Sequence, residues 1–396
     1  MIRRTMIEAL AAARERYPVV AITGPRQSGK STLARLSAPG LPVVHLEDPT
    51  ELALIMNDWR GFFARYPDGA IIDEAQKLPE LFSALQADVD RLPRMGKWIL
   101  TGSQQFELNR GIGQSLAGRV ARLTLWPFAR EELIASPRCP RSLAEAVFIG
   151  GFAPLYDETR KLDPVDWLTN YVATLMEKDI ADLIGVRNRL SFIRFLGLCA
   201  ASTGTEITKE RFSDAIGIDG KTVESWLSVL ETARIAIRLA PHARRFGKRL
   251  ISRQKLYLCD TGLACRLMHL HDVNQVRSCH EWGPLVETWC INELLKTRQH
   301  RGLSPDLWYW RSRDGHEVDA LLDGGTRLLP IEIKGTTTAS YDLAAGLRHL
   351  RTLSKRDSAV EVLPGLVIYG GDEAIPLGDD RAVPWHAIAA QPELMQ

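Results

Sequence analysis

Three groups of residues have types and spacing that could do chemistry. The first is GPRQSGKST, residues 24–32, preceded by the apolar run Val19 to Ile22 and followed by a helical pattern. Such a loop cradles phosphate. Gly24 and Gly29 permit the tight backbone path that aims N–H groups at phosphate oxygens, and the following helix presents its positive end. Lys30 reaches the terminal phosphates and Ser31 can ligate Mg²⁺. Gly24, Pro25, Arg26, Gln27, Ser28, Gly29, Lys30, Ser31 and Thr32 are therefore the expected nucleotide-binding residues, with ATP and Mg²⁺ as cofactors. A plain glycine turn between strand and helix would not supply Lys-Ser-Thr in this register.

The second group is GAIIDEAQ, in which the buried pair Ile71-Ile72 runs into Asp73 and Glu74. A phosphate loop needs a metal-orienting acid at the end of a neighbouring strand. Asp73 would hold the Mg²⁺ shell, and Glu74 would polarise the attacking water. Ser103 or Thr101, closing the run KWILTGSQ, falls where a residue sensing the γ-phosphate would sit beside Asp73; a strand-ending turn accounts for Ser103 equally well.

The third group is HEVDALLDGGTRLLPIEIKG, residues 316–335. Two alternating runs flank Gly324-Gly325, as in a β-hairpin. Alternation puts Val318, Ala320 and Leu322 on one face, with Glu317 and Asp319 on the other, and a turn at the glycine pair sets Asp319 close to Glu332. Two carboxylates on one face repel unless something cationic stands between them. Mg²⁺ with oxygen ligands fits that need, and Lys334 could stabilise an attacking water or developing negative charge. A salt-bridged surface hairpin is the alternative.

These groups need elements to hold them. Apolar runs at 19–22, 43–46, 70–73, 97–101 and 119–125, with helical patterns between, predict a parallel α/β sheet over 1–130. A helical stretch follows, roughly 128 to 200. In TEITKERFSDAIGIDGKTVESWLSVL, Phe212 and Ala215 share a helical face, Gly217 turns the chain, and Val223, Leu227 and Leu230 recur at helical spacing. Two β-type runs come next, 235–240 and 255–259, so 131–245 reads as a helical lid and winged helix. Between the runs lie His242, Arg244, Arg245, Lys248, Arg249 and Arg253, placed as a wing for DNA phosphate or as a solvated loop of a protein-interaction module. Residues 246–396 form the expected third domain.

Composition narrows the classes. Across 396 residues, 45% are apolar and 25% charged, with a formal net charge of +2. That suits several packed cores and decides nothing about nucleic acid. No run reaches the roughly 18 apolar residues of a membrane span, so a cytoplasmic protein without a membrane partner is expected. The six cysteines contain no Cys-x-x-Cys pair, which argues for reduced core thiols over zinc.

GPRQSGKST, IIDEAQ, ILTGSQ and SLAGRVARLTLWPFAREEL, in this order, resemble the prokaryotic AAA+-like P-loop ATPases that carry a C-terminal domain of unknown function. The resemblance implies that Arg119 is a candidate arginine finger, often supplied by a neighbouring subunit, and hence a possible homo-oligomer. The stretches WGPLVETWCINELL, YWRSRDGHEVDALLD and PIEIK resemble the PD-(D/E)xK nuclease superfamily, an α/β fold, with Val318-Asp319 where the superfamily has Pro-Asp. This implies Glu287, Asp319 and Glu332 as metal ligands and Lys334 as a catalytic residue. The function expected is ATP hydrolysis tied to DNA handling, or else a nucleotide-controlled switch whose nuclease-like domain is inert.

Overall fold

The run Val19 to Ile22 is apolar throughout because both faces of its strand are covered. The computed structural model describes residues 2–102, 112–113, 115–180, 189–242, 253–312, 314–355 and 360–395. Within them β1 (Val19–Thr23), β2 (Val43–His45), β3 (Ala70–Asp73), β4 (Trp98–Thr101) and β5 (Val120–Thr124) form one sheet in the order β2-β3-β4-β1-β5. Every pairing is parallel, as expected. Val20, Ile22, Ile71 and Ile99 pack against Met6, Leu10 and Leu33 on one face. Val19, Ala21, Ile72 and Leu100 pack against Phe62, Phe82 and Leu85 on the other. The order places the carboxyl ends of β1, β4 and β3 side by side, at the edge where ligands of open α/β sheets bind.

A second unit follows. Helices Leu143–Ile149, Pro164–Thr174 and Arg189–Ala201 lead to β6 (Thr205–Glu206), helices Lys209–Ile216 and Gly220–Thr232, then β7 (Ala236–Leu239) and β8 (Lys255–Leu258). Gly217 caps the first of that helix pair at φ +77°, in the left-handed region its lack of a side chain favours. The three strands form an antiparallel sheet, β6-β8-β7. The boundary expected between 245 and 246 therefore falls inside this sheet: β8 is hydrogen-bonded to β7 and belongs to the second unit. Arg244, Arg245, Lys248 and Arg249 lie outside the described residues, as does Ser103.

The third unit is a mixed sheet of β9 (Leu307–Arg311), β10 (Glu317–Asp323), β11 (Arg327–Lys334), β12 (Glu361–Val362), β13 (Leu366–Tyr369), β14 (Ile375–Leu377) and β15 (Asp380–Pro384). Its order is β14-β15-β13-β11-β10-β9, with β12 beside β11. The expected hairpin is there: Ala320 faces Ile331 and Leu322 faces Leu329. One detail differs. A bulge between Val318 and Leu321, where β10 meets β9, breaks the alternation. Ala320 and Leu322 thus face the helix Trp282–Gln299, whereas Val318 joins Leu321 and Leu328 against the helix Ala345–Ser354. Both sheet faces are buried. Among the described residues no helix is long and apolar enough to cross a membrane, and the six cysteines are free thiols, four of them buried.

Candidate functional site

The phosphate loop runs from the end of β1 to the helix Lys30–Ser37, and its backbone carries the conformations its glycines allow. Gly24 has φ +150° and Gly29, the residue before the helix, φ +95°. A Cβ on Gly24 would stand 2.1 Å from the Leu125 carbonyl oxygen. Only glycine fits there. The buried Lys30 ammonium donates to the Gly24 and Pro25 carbonyl oxygens, at 3.0 and 2.8 Å. Arg26, Gln27, Ser28 and Thr32 complete the loop, Gln27 at φ 66° and Ser28 fully buried.

Sheet order brings the second group to this loop. Ser31 Oγ donates to Asp73 Oδ1 at 2.6 Å, and Thr101 Oγ1 donates to the same carboxylate oxygen. His45 Nδ1, from the end of β2, lies 3.5 Å from Asp73 Oδ2. Adjacent hydroxyl and carboxylate oxygens are the hard donors that Mg²⁺ takes, so these residues fit the ion. Glu74 follows at φ 57°, a strained conformation for a non-glycine residue, and its carboxylate accepts from Gln76 Nε2. Thr101 touches Asp73, and Ser103 lies outside the described residues. His45 carried no sequence signal, since nothing in PVVHLEDP says that β2 lies beside β3.

Arg119 is elsewhere. It immediately precedes β5, whose Val120 pairs with Val19 and whose Thr124 pairs with Thr23. The phosphate loop leaves the opposite end of β1, roughly 15 Å away at about 3.3 Å per residue. A finger acting on its own chain's loop is thus excluded by the register. The guanidinium holds Asp90 through two hydrogen bonds, Nη2 to Oδ2 at 2.9 Å.

In the third unit the structure brings Glu287, Glu317 and Asp319 together, with one carboxylate oxygen of each within 4.8 Å of the others. Asp319 and Glu332 are buried, which removes the surface-hairpin alternative. Lys334 lies between them, 2.9 Å from Glu332 and 3.4 Å from Asp319. Burial first, and the Asp319 charge second, push the Glu332 carboxyl well above the usual carboxylate range. Burial works the same way on Asp319, but Lys334, Lys255 and the Ile333 N–H outweigh it and hold its pKa low. Glu332 is also roofed by the second helix: a Cβ on Gly346 would meet its Oε1 at 2.1 Å.

Lys255, from β8, enters the same cluster. Its ammonium is 2.8 Å from Glu287 Oε1 and also contacts Glu317. Tyr257 donates its hydroxyl to Glu287 Oε1 at 2.6 Å. Burial would strip the Lys255 proton, yet Glu287, Asp319 and Glu317 more than offset it and raise the pKa above the ordinary lysine range. As arranged, the carboxylates do not fit a divalent ion. Glu332 is held by Lys334, and a buried ammonium, that of Lys255, already contacts Glu287 and Glu317. The sequence hint was KLYL, a strand whose lysine is as buried as its apolar neighbours; a lysine so placed must meet an acid.

One helix connects the two sites. Trp282–Gln299 is enclosed on nearly all sides, Glu287 near its start. Further along, Glu293 accepts from Arg130 N at 2.8 Å, Lys296 donates to Phe128 O at 3.0 Å, and Gln299 and His300 accept from Trp126. Residues 126–130 directly follow β5 and Leu125, the residue against which Gly24 packs.

Residues 16–134 match the family model described as AAA domain. This segment is an AAA-type ATPase domain. Residues 140–274 and 282–388 match two domains of unknown function, DUF8612 and DUF4143. Uncharacterized proteins of Mycobacterium tuberculosis and Mycobacterium bovis are each 29% identical to this chain over 386 residues, covering 95% of it and 82% of their own length. Among solved structures, a Walker-type ATPase of Pyrococcus abyssi is similar with a TM-score of 0.46 at 17% identity, over 66% of this chain and 94% of that one. AMPPCP-bound DnaA of Aquifex aeolicus is similar with a TM-score of 0.30 at 16% identity, over 57% and 85%. The AAA match assigns ATP binding and hydrolysis to the first unit.

Proposed function

We propose that this chain is an ATP-driven switch that handles DNA without cutting it. Mg²⁺ held by Ser31 and Asp73 would supply the charge that neutralises the transferring phosphoryl group. Lys30 binds the terminal phosphates, Glu74 orients and deprotonates the attacking water, and Thr101 holds Asp73 in place. The observation that carries the reading is the continuous path from the phosphate loop to the third unit: Gly24 packs on Leu125, and residues 126–130 are hydrogen-bonded to the helix bearing Glu287. Nucleotide that moves the loop moves that helix.

The second unit supplies the DNA contact in this reading. Helix, short strand, two helices and two strands follow one another in the order of a winged helix, and this reading takes the segment between the last two strands as the wing. His242 and Arg253 face acids, Asp323 at 3.0 Å and Glu206 at 3.9 Å; this reading gives the phosphate contacts to Arg244, Arg245, Lys248 and Arg249. They lack the side-chain amides that best discriminate bases, so they hold backbone. The third unit, whose Glu-x-Lys strand resembles the nuclease superfamily, responds to the switch.

DNA affinity measured by fluorescence anisotropy, with ATP analogue or ADP bound and across a salt series, tests this. Affinity should differ between nucleotide states. Neutralising all four wing residues should flatten the log–log salt dependence by roughly 0.9 per lost duplex contact. Equal affinity in every nucleotide state, with an unchanged salt slope, sinks the proposal.

A further inference from the structure

The acids of the third unit ask what cation they were gathered to hold, and the answer lies in the second unit. The geometry points to Lys255 as the resident cation of the Glu287–Glu317–Asp319 cluster, an ion-pair lock that fastens β8 to the helix Trp282–Gln299 and to β10 in the place of a divalent metal.

Four observations support this. Lys255 is buried, and its ammonium lies 2.8 Å from Glu287 and in contact with Glu317, two of the three carboxylates that each bring one oxygen within 4.8 Å of the others. An ion among those carboxylates would compete with the ammonium for Glu287 and Glu317. Cations already meet these acids: Lys255 contacts Glu287 and Glu317, Lys334 contacts Asp319, and Arg311 lies 3.4 Å from Glu317 and is shared with Glu206. A divalent ion beside Glu287 and Glu317 would be repelled by the Lys255 ammonium. The third observation is Tyr257, two residues along the same strand and therefore on the same face, which donates to Glu287 Oε1. Two donors from one strand on one carboxylate oxygen leave little of its lone-pair capacity for a metal. Finally, β8 is the central strand of its three-stranded sheet, so the backbone that carries Lys255 is hydrogen-bonded on both sides.

The lock explains why acids spread over 287, 317 and 319 coexist at one place, and it joins the second unit to the third. It stands independently of ATP hydrolysis and of DNA binding.

Mn²⁺ binding counted by electron paramagnetic resonance, without nucleotide and in an Asp73→Asn background that removes the phosphate-loop site, tests it. The Asp73→Asn protein should bind no Mn²⁺ at millimolar concentration. Adding Lys255→Met should create one bound ion per chain, lost again when Asp319→Asn is also introduced, whereas Lys255→Arg should bind none. Bound Mn²⁺ in the Asp73→Asn protein that disappears on adding Asp319→Asn would overturn the inference, and this arm holds even where Lys255→Met fails to fold. A folded Lys255→Met protein that takes up no ion would equally overturn the claim that Lys255 stands in for a metal.

Discussion

Replacing Gly24 with alanine separates the phosphate loop's shape from its charge. The new Cβ would stand 2.1 Å from the Leu125 carbonyl oxygen and 3.0 Å from its carbon, so loop or strand must give by about 1 Å to reach ordinary contact. That displacement strains the hydrogen bond from Leu125 N to Thr23 O, now 2.7 Å long, a loss of about 1 kcal/mol. Alanine at φ +150° adds about 1–3 kcal/mol of backbone strain. The sum is about 2–4 kcal/mol. Gly29→Ala is the control: its φ is +95°, but nothing lies within 4 Å of a Cβ there, so only the backbone strain applies. Urea unfolding, read beside titration with a fluorescent ATP analogue, should show Gly24→Ala less stable than Gly29→Ala by about 1 kcal/mol or more. Gly24→Ala should also weaken nucleotide binding, because the loop that holds the phosphates has shifted. Equal stability of the two variants, with wild-type affinity for nucleotide in Gly24→Ala, would refute the claim that the loop packs on the exit of β5.

Two further outcomes follow from the same contacts. Arg119 is too far from its own phosphate loop to act there, so if it serves as a finger it does so for a neighbour: mixing Arg119→Ala with Lys30→Ala protein should recover part of the hydrolysis that each lacks, and activity independent of protein concentration with no recovery would leave it as the partner of Asp90. His300 is buried, and burial first, then Arg4, Lys296 and Arg301, depress its pKa well below the ordinary value. The unfolded chain takes up a proton near pH 6.5 that the folded chain refuses, so stability should fall as pH drops below about 6.5, by up to about 1.4 kcal/mol per pH unit. His300→Gln, which keeps an acceptor for Trp126 N, should flatten that slope; an unchanged slope would mean that His300 is protonated in the fold.

The parallel sheet was legible because Lys30, Ser31, Asp73 and Glu74 stand in motifs, and because strands buried on both faces read as unbroken apolar runs. Strand order was not, and with it went His45, which reaches Asp73 only because β2 lies beside β3. The hairpin register was legible from Gly324-Gly325, but the bulge at Val318 was not, since a β-bulge is a response to the neighbouring strand β9. The cation among the acids was least legible of all. Lys255 is 32 residues from Glu287 and 62 from Glu317 in sequence, and only the docking of the second unit's sheet on the third unit brings them together. The wing's basic cluster was equally hard to judge from composition: His242 and Arg253 read as phosphate contacts, yet acids of the same chain face them.

Phosphate release by wild type, Lys30→Ala and Glu74→Gln, set beside nucleotide binding by the same three proteins, tests the central claim most directly. The wild type should turn over ATP, Lys30→Ala should lose most turnover together with affinity, and Glu74→Gln should retain bound ATP while kcat falls by about 100-fold or more. Turnover in Glu74→Gln at the wild-type rate would contradict the assignment of the water-activating residue, and no hydrolysis by the wild type with Mg²⁺ would contradict the account as a whole.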